Sequence, residues 1–247
     1  VYGGGSIKRS GLYDQVLQIF KDNNIIHVEL SGVQPNPRIT SVRQGVELCK
    51  KYEIQLVLAV GGGSTIDCAK IIAAGAGYNG DAWDFFTRKA RINFALPIGT
   101  ILTLAATGSE MNSGAVISRI ETHEKYPFYS NYPVFSILDP KVTFTLPDFQ
   151  IACGIADAFV HVMEQYMTSP GQSRLMDRWA ESILASLIEI APKIKENKTN
   201  YDLMADFMLC ATMALNGFIS MGVNNDWATH MIGHELTALH GLTHGAT

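Results

Sequence analysis

The sequence predicts an α/β fold, a largely parallel sheet covered by helices, followed by an all-α region. Three observations lead there. Apolar runs end in glycine turns that pass into helix-period patterns, at Val1-Tyr2 into Gly3–Ser6 and again across Leu56 to Ala76. Short apolar runs keep recurring up to residue 147, the rhythm of βαβ units. Beyond Leu146-Pro147 the pattern is wholly helical.

Taken in order, Val1-Tyr2 reads as the end of a strand and roughly Gly11 to Asn23 as a helix. LVLAVGGGSTIDCAKIIAAGA, Leu56 to Ala76, is the clearest strand–turn–helix unit. Phe94 to Ile98 before Gly99, and Val134 to Leu138 before Asp139-Pro140, read as further strands. Helices are expected at Gln150–Met167, Ser173–Glu189, Asp202–Ile219 and Asp226 to about Leu239, with Pro170-Gly171 and Pro192 as breaks. A boundary near residue 147 divides an α/β domain, residues 1–147, from a helical domain, residues 148–247. Both ends read as clipped: the chain opens on the last residues of a strand and stops three residues past His244.

With 247 residues, 47% hydrophobic and 17% charged, the chain is globular and large enough for a real core. A net charge of −4 and no basic stripe argue against nucleic acid or an anionic membrane surface as partner. No apolar run is long enough to span a bilayer, and the first residues lack a signal-peptide pattern. Cys49, Cys68, Cys153 and Cys210 are scattered, with no C-x-x-C, which fits buried free thiols in a reducing cytoplasm.

Gly61-Gly62-Gly63-Ser64 joins a strand to a helix. Glycines let backbone N–H groups approach a phosphate, and a helix N-terminus adds partial positive charge. Ser64 can cap that helix and donate a hydrogen bond. The turn matches neither G-x-G-x-x-G, since position 66 is Ile, nor a G-K-[ST] loop, so a plain tight connection competes with phosphate binding. Asp67 and Lys70 follow at helical spacing, and Asp67 is either a site acid or a first-turn dipole partner. Gly3–Ser6 occupies a turn where nucleotide-binding sheets often carry an acid for a ribose hydroxyl. Gly4 stands there, with Lys8 and Arg9 behind it, which permits a 2′-phosphate. From Thr100 to Glu110, small hydroxyl residues surround Gly108; they either hydrogen-bond a carboxamide or ribose or satisfy turn backbone.

Five of the seven histidines fall at or beyond residue 161. Asp157 and His161 are four apart and share a helix face, as do His230 and His234. His230 and His244 are fourteen apart, about 21 Å on a straight helix at about 1.5 Å per residue. Both reach one ion, with bonds of about 2.0–2.1 Å, only if the chain turns between them, and Gly241 is the natural breaker. H-E-x-x-H is absent, since His240 comes too late after His234-Glu235. His240 fits a structural or supporting role better, and His27 and His123 read as ordinary. Trp227 and Phe159 read as core packing before pocket lining.

The motifs YGGGSIK, VGGGSTIDCAK, TLAATGSEMNSGAVIS, LDP, DAFVHVMEQY and DWATHMIGHELTALHGLTHG run from the first residues to the last. Together they resemble the iron-containing (group III) alcohol dehydrogenases, in the branch of NADP(H)-dependent aldehyde reductases and butanol dehydrogenases. The resemblance implies a dehydroquinate synthase-like fold, with a Rossmann-like sheet domain and a helical metal-binding domain. It implies Asp157, His161, His230 and His244 as ligands of one divalent metal, Fe2+ or Zn2+, and His234 beside nicotinamide and substrate. Gly61, Gly62, Gly63 and Ser64 then match the pyrophosphate turn. Asp67, Thr103, Thr107, Asn112 and Lys125 match cofactor contacts, and Gly4 and Ser6 the adenosine-ribose turn. With Gly4 in place of an acid, NADP(H) is favoured over NAD(H). The expected activity is hydride transfer between NAD(P)(H) and a small alcohol or aldehyde, in a homo-oligomer. A metal-dependent lyase or cyclase on the same fold, or an inactive fragment that only binds metal or nucleotide, are the alternatives. The apolar ligand segments, poor in Lys and Arg, disfavour the anionic substrate a lyase or cyclase would take.

Overall fold

The computed structural model describes residues 1–171 and 173–247. In chain order it comprises α1 (Ser6–Arg9), α2 (Leu12–Asp22), α3 (Ile39–Lys51), β1 (Val57–Gly61), α4 (Gly63–Ala76), α5 (Trp83–Phe86), β2 (Ile98–Leu102), β3 (Gly114–Arg119), β4 (Glu124–Tyr129) and β5 (Phe135–Ile137). From residue 148 the long elements are helical: α6 (Asp148–Tyr166), α7 (Arg174–Glu196), α8 (Tyr201–Leu215) and α9 (Ala228–His240).

β1, β2 and β5 form a parallel sheet in that spatial order. Parallel bridges Tyr2↔Val60 and Gly3↔Val33 continue it beyond β1, so Val1-Tyr2 lies along the sheet as its sequence suggests. Every side chain of β1 except the half-buried Leu58 is buried, as expected where helices cover both faces. α4 packs behind β1 and against α3. Ile66, Ile71 and Ile72 of α4, with Ile39 and Val42 of α3, are at most 1% exposed and anchor this half of the core. Each such side chain contributes on the order of 1.5–3 kcal/mol by leaving water. In the helical half, Leu187 and Ile194 of α7 meet Met204, Phe207 and Ala211 of α8 in the same continuous core.

Several elements depart from the sequence reading. The strand expected at Phe94 to Ile98 begins only at Ile98. Pro97 has no N–H to give a ladder, and its carbonyl instead accepts the first bond, from the Val57 N–H at 2.9 Å. α3 and the antiparallel β3–β4 hairpin are additional to the expected elements. Pro192 does not end α7, which runs on to Glu196. The carbonyl Pro192 leaves unpaired is that of Ile188, a residue 64% exposed, where water can serve it. α8 stops at Leu215, short of Ile219, because Gly217 at φ 90° turns the chain away. The four cysteines are free thiols, and Cys49, Cys68 and Cys153 are buried. No helix among the described residues is long and apolar enough to cross a membrane.

Candidate active site

α6 carries Asp157, His161 and Glu164 at i, i+4 and i+7, one face of a helix. All three are buried, at 6%, 3% and 9% exposure, too deep for a charged group without partners. α9 brings His230 and His234 to the same place from across the bundle. At its end Gly241 adopts a left-handed conformation, φ 66°, and the chain turns back into a short 3-10 turn, His244–Ala246. That turn packs against α6 at Gly245, where a methyl group would lie 2.5 Å from the Cys153 carbonyl oxygen. The bend expected at Gly241 is present, and the bare Gly245 allows the approach that carries His244 to Asp157.

Three imidazoles aim Nε2 at one carboxylate oxygen. Asp157 Oδ1 lies 3.8 Å from His161 Nε2, 3.6 Å from His230 Nε2 and 3.6 Å from His244 Nε2. The ligand atoms of Asp157, His230 and His244 all fall within 4.8 Å of one another. His161 stacks on His230 with ring centroids 4.4 Å apart. These separations are too long for hydrogen bonds and close to the spacing of ligands that share one ion at about 2.0–2.2 Å. A carboxylate with neutral imidazoles is also the donor set that Zn2+ or Fe2+ accepts. Asp157, His230 and His244 therefore fit a single divalent cation, with His161 beside Asp157 but outside that group of three.

Electrostatics agrees. Burial opposes ionisation of Asp157, yet the imidazoles of His161, His230 and His244 hold its carboxyl below the usual carboxylate range. Burial, with Lys125 and the neighbouring rings, pushes His234 down to about 3, and burial pushes His244 down to about 4. His161 is lowered mainly by burial. Burial also works against protonated His230, but Asp157 and Glu164 outweigh it and raise the ring. The buried Nδ1 atoms of His161, His234 and His244 have no hydrogen-bond partner. In His161 and His244 the nitrogen that faces Asp157 is Nε2, so a cation held there leaves Nδ1 to other partners.

The other expected residues gather at the carboxyl ends of β1 and β2. Gly61 closes β1, and Gly62 is the N-cap of α4, with no side-chain cap. Ser64 therefore does not cap the helix; α4 starts one residue earlier, at Gly63, which puts Ser64 inside its first turn. A methyl group on Gly63 would sit 2.3 Å from Thr107 Oγ1, so the turn and the Thr107 loop touch only because this residue is glycine. The Thr103 N–H donates to Gly61 O at 3.0 Å. Gly4, in the turn before α1, and Ser6, the first residue of α1, are exposed, and a methyl group on Gly4 would meet nothing within 4 Å.

Asp67 is buried. Its carboxylate accepts from Ser109 Oγ at 2.6 Å and from the Val116 N–H at 2.9 Å. Asn112 Oδ1 accepts from Lys70 Nζ and the Gly114 N–H, while its Nδ2 donates to Thr107 O and Leu215 O. Its amide thus staples α4, the Thr107 loop, the start of β3 and the end of α8. Lys125 is 7% exposed; its Nζ donates to Asn36 Oδ1 at 3.0 Å, and Asn36 Nδ2 donates to Leu242 O at 3.3 Å. Burial pushes Lys125 down to about 8, against the pull of Asp67 and Asp157. One cation therefore feels both polar clusters.

Trp227 packs edge-on against His161 and His230, at 6.3 and 5.7 Å between ring centroids. Phe159 instead lines an apolar groove of about 670 Å³ between α6 and α7, with Phe149, Ile155 and Ile188. His240 is exposed at the end of α9 and is not among the rings around Asp157. The sequence reading passed over Glu164 and Glu110 and gave Lys70 a helical spacing but no partners. Glu164 was legible as the next same-face position after Asp157 and His161, whereas the partners of Lys70 and Glu110 are too distant in sequence for spacing to reveal.

A glycine turn at a parallel sheet edge, beside a buried Asp/His cluster on two helices, defines a class that comparison with known proteins makes specific. Residues 1–140 match the iron-containing alcohol dehydrogenase family, and residues 151–247 match the C-terminal region of the Fe-containing alcohol dehydrogenase family. The chain belongs to the iron-containing alcohol dehydrogenase family. It is 53% identical over 247 residues to a probable NADH-dependent butanol dehydrogenase of Bacillus subtilis, covering 99% of this chain and 64% of that protein. It is 50% identical over 251 residues to the NADPH-dependent aldehyde reductase YqhD of Escherichia coli, covering all of this chain and 64% of that protein. The crystal structure of a butanol dehydrogenase from Thermotoga maritima superposes with a TM-score of 0.96 at 44% identity, over 99% of this chain and 62% of that one.

Proposed function

We propose that this chain forms the nucleotide- and metal-binding parts of an NAD(P)H-dependent alcohol dehydrogenase that reduces small aldehydes. Residues 1–147 hold the nucleotide and residues 148–247 the cation. The observation that carries this reading is the convergence of three imidazole Nε2 atoms on Asp157 Oδ1 at 3.6–3.8 Å. Asp157, His161, His230 and His244 hold one divalent cation, Fe2+ or Zn2+. When bound, the cation supplies Lewis acidity toward the substrate oxygen and the dihydronicotinamide supplies hydride.

The chain's own residues do the rest. Gly61, Gly62 and Gly63 let the pyrophosphate approach the start of α4, where no side chain competes for the first-turn N–H groups. Gly4 and Ser6 face the adenosine ribose. The open space at Gly4, with Lys8 and Arg9 in the following helix, favours a 2′-phosphate and hence NADP(H). Thr103, Thr107 and Lys125 line the nicotinamide end. Asp67 and Asn112 act there by fixing the loops around it, since the bonds above engage both ends of each side chain. His234 relays a proton between the substrate oxygen and solvent. Its buried Nδ1, with no partner in the protein, leaves the ring free to pass a proton on. Trp227 packs its ring edge-on against His161 and His230 and helps hold them in place. No step calls for a covalent nucleophile. Free, mostly buried thiols support a cytoplasmic reading of the protein.

The test is NADPH oxidation with butanal by the complete, metal-loaded protein, beside NADH and beside His230→Ala. Turnover that His230→Ala abolishes is expected. Absence of turnover in the wild type, with His230→Ala indistinguishable from it, would remove the assignment.

A further inference from the structure

Glu164 lies two turns along α6 from Asp157, buried and facing the start of α9. Its Oε1 accepts from the Thr229 N–H at 2.6 Å and from the His230 N–H at 3.2 Å, and its Oε2 pairs with His230 Nδ1. The Glu164 backbone carbonyl accepts from the Asp226 N–H at 3.0 Å. The N-cap residue of α9, Trp227, makes no side-chain cap, so Glu164 serves the orphan amides of that helix from another element. An ionised carboxylate only accepts, so the proton of a neutral His230 ring sits on Nδ1 and the lone pair on Nε2. Nε2 is the atom 3.6 Å from Asp157 Oδ1.

We propose that Glu164 is a positioning residue that docks α9 onto α6 and locks His230 in the tautomer able to ligate. The proposal rests on the reading of Asp157, His161, His230 and His244 as cation ligands. A buried carboxylate behind a ligating imidazole sets both its orientation and its basicity.

The decisive variant is Glu164→Gln in the complete protein. Gln keeps an oxygen for the α9 amides but presents an N–H to His230 Nδ1, which pushes the ring proton to Nε2. Titration of the metal-stripped protein with Zn2+ should show affinity about 10–100-fold weaker than wild type. The melting temperature of the metal-free variant should stay near that of wild type, whereas a merely structural role would lower it and leave Zn2+ affinity alone. Ring ¹⁵N shifts of His230 in the metal-free protein, at mildly alkaline pH, should report Nδ1–H in wild type and Nε2–H in Glu164→Gln. Wild-type Zn2+ affinity in the variant, or Nε2–H in the wild type, overturns the proposal. The wild-type spectrum decides even if the variant fails to fold. Should the wild type take up no divalent cation while its ring carries Nδ1–H, the metal reading fails and the docking role of Glu164 stands apart from it.

Discussion

Two buried polar clusters, one around α4 and one around α6 and α9, hold charge in opposite ways. Around α4, Lys70 Nζ donates to Ser109 Oγ at 2.9 Å, Asn112 Oδ1 at 3.1 Å and Gly114 O at 2.7 Å, while Asp67 accepts from Ser109 and Val116. Around α6 and α9, Asp157 faces imidazole nitrogens at 3.6–3.8 Å, beyond hydrogen-bond reach, and three ring nitrogens are unpaired. The first cluster is satisfied by protein alone and behaves as framework. The second is complete only with something added. Imidazole nitrogens that face a buried carboxylate beyond hydrogen-bond reach thus separate the ligand-accepting part of the site from the part that shapes it.

The largest effect that can break this comparison is Asp157→Asn. Removing the one anion shared by the rings should empty the complete protein of metal in elemental analysis. NADPH-dependent butanal reduction should fall by at least about 10⁴-fold, several kcal/mol of lost charge stabilisation. A variant that retained metal at the wild-type ratio would place the ion elsewhere. Next comes His234→Ala, which should cost about 10²–10⁴-fold in turnover with metal content unchanged. Loss of metal in that variant would move His234 into the ligand set.

The framework cluster should respond in stability rather than metal content. Lys70→Met strands the acceptors on Ser109, Asn112 and Gly114 and should destabilise by about 1–3 kcal/mol in denaturant unfolding. The same residue gives a pH signature. Burial holds Lys70 down to about 8, against an ordinary 10.5 and the opposing pull of Asp67 and Glu110. Between those values the unfolded chain binds more protons than the native one, so the Lys70 contribution to stability rises as pH increases across the window. Below about 8 both states are protonated and the penalty is constant. Unfolding midpoints measured from pH 8 to 10.5 should therefore slope upward more steeply in wild type than in Lys70→Met, where Lys125 keeps its own share of the slope. A flat wild-type profile would show that the cluster tolerates the charged amine without cost.

The metal side was the more legible of the two in the sequence, because it is built from same-face spacing. Asp157 with His161, and His230 with His234, are helical pairs that any reading of period finds. The nucleotide turn was legible in position but not in capping, since Gly62 rather than Ser64 precedes α4. The framework's residues Asp67, Lys70 and Asn112 stood out in the sequence, but their bonding did not. Lys70 meets Gly114 across 44 residues and Glu110 accepts from Thr212 across 102, contacts that only tertiary folding creates. The β3–β4 hairpin escaped for a related reason. Its strands turn through Ile120–His123, where His123 takes φ 53° without the Asn-Gly or Asp-Gly that announces a tight hairpin.

The smallest expected effect sharpens the comparison most directly. Gly241 sits at φ 66°, a conformation that costs a side-chain-bearing residue about 1 kcal/mol, and nothing lies within 4 Å of where its methyl group would go. Gly241→Ala therefore tests backbone strain free of any clash. The satisfied cluster around Lys70 does not depend on this turn, so global stability should fall by only about 1 kcal/mol. His244 reaches Asp157 only through the turn, so Zn2+ affinity should fall with it, while NADPH affinity should hold. Gly241→Asn, which tolerates the left-handed region, should recover most of both losses. Equal losses of metal and nucleotide affinity in Gly241→Ala would mean that the two clusters are one mechanical unit, joined through Leu242, Asn36 and Lys125, and would erase the distinction drawn from their hydrogen bonds.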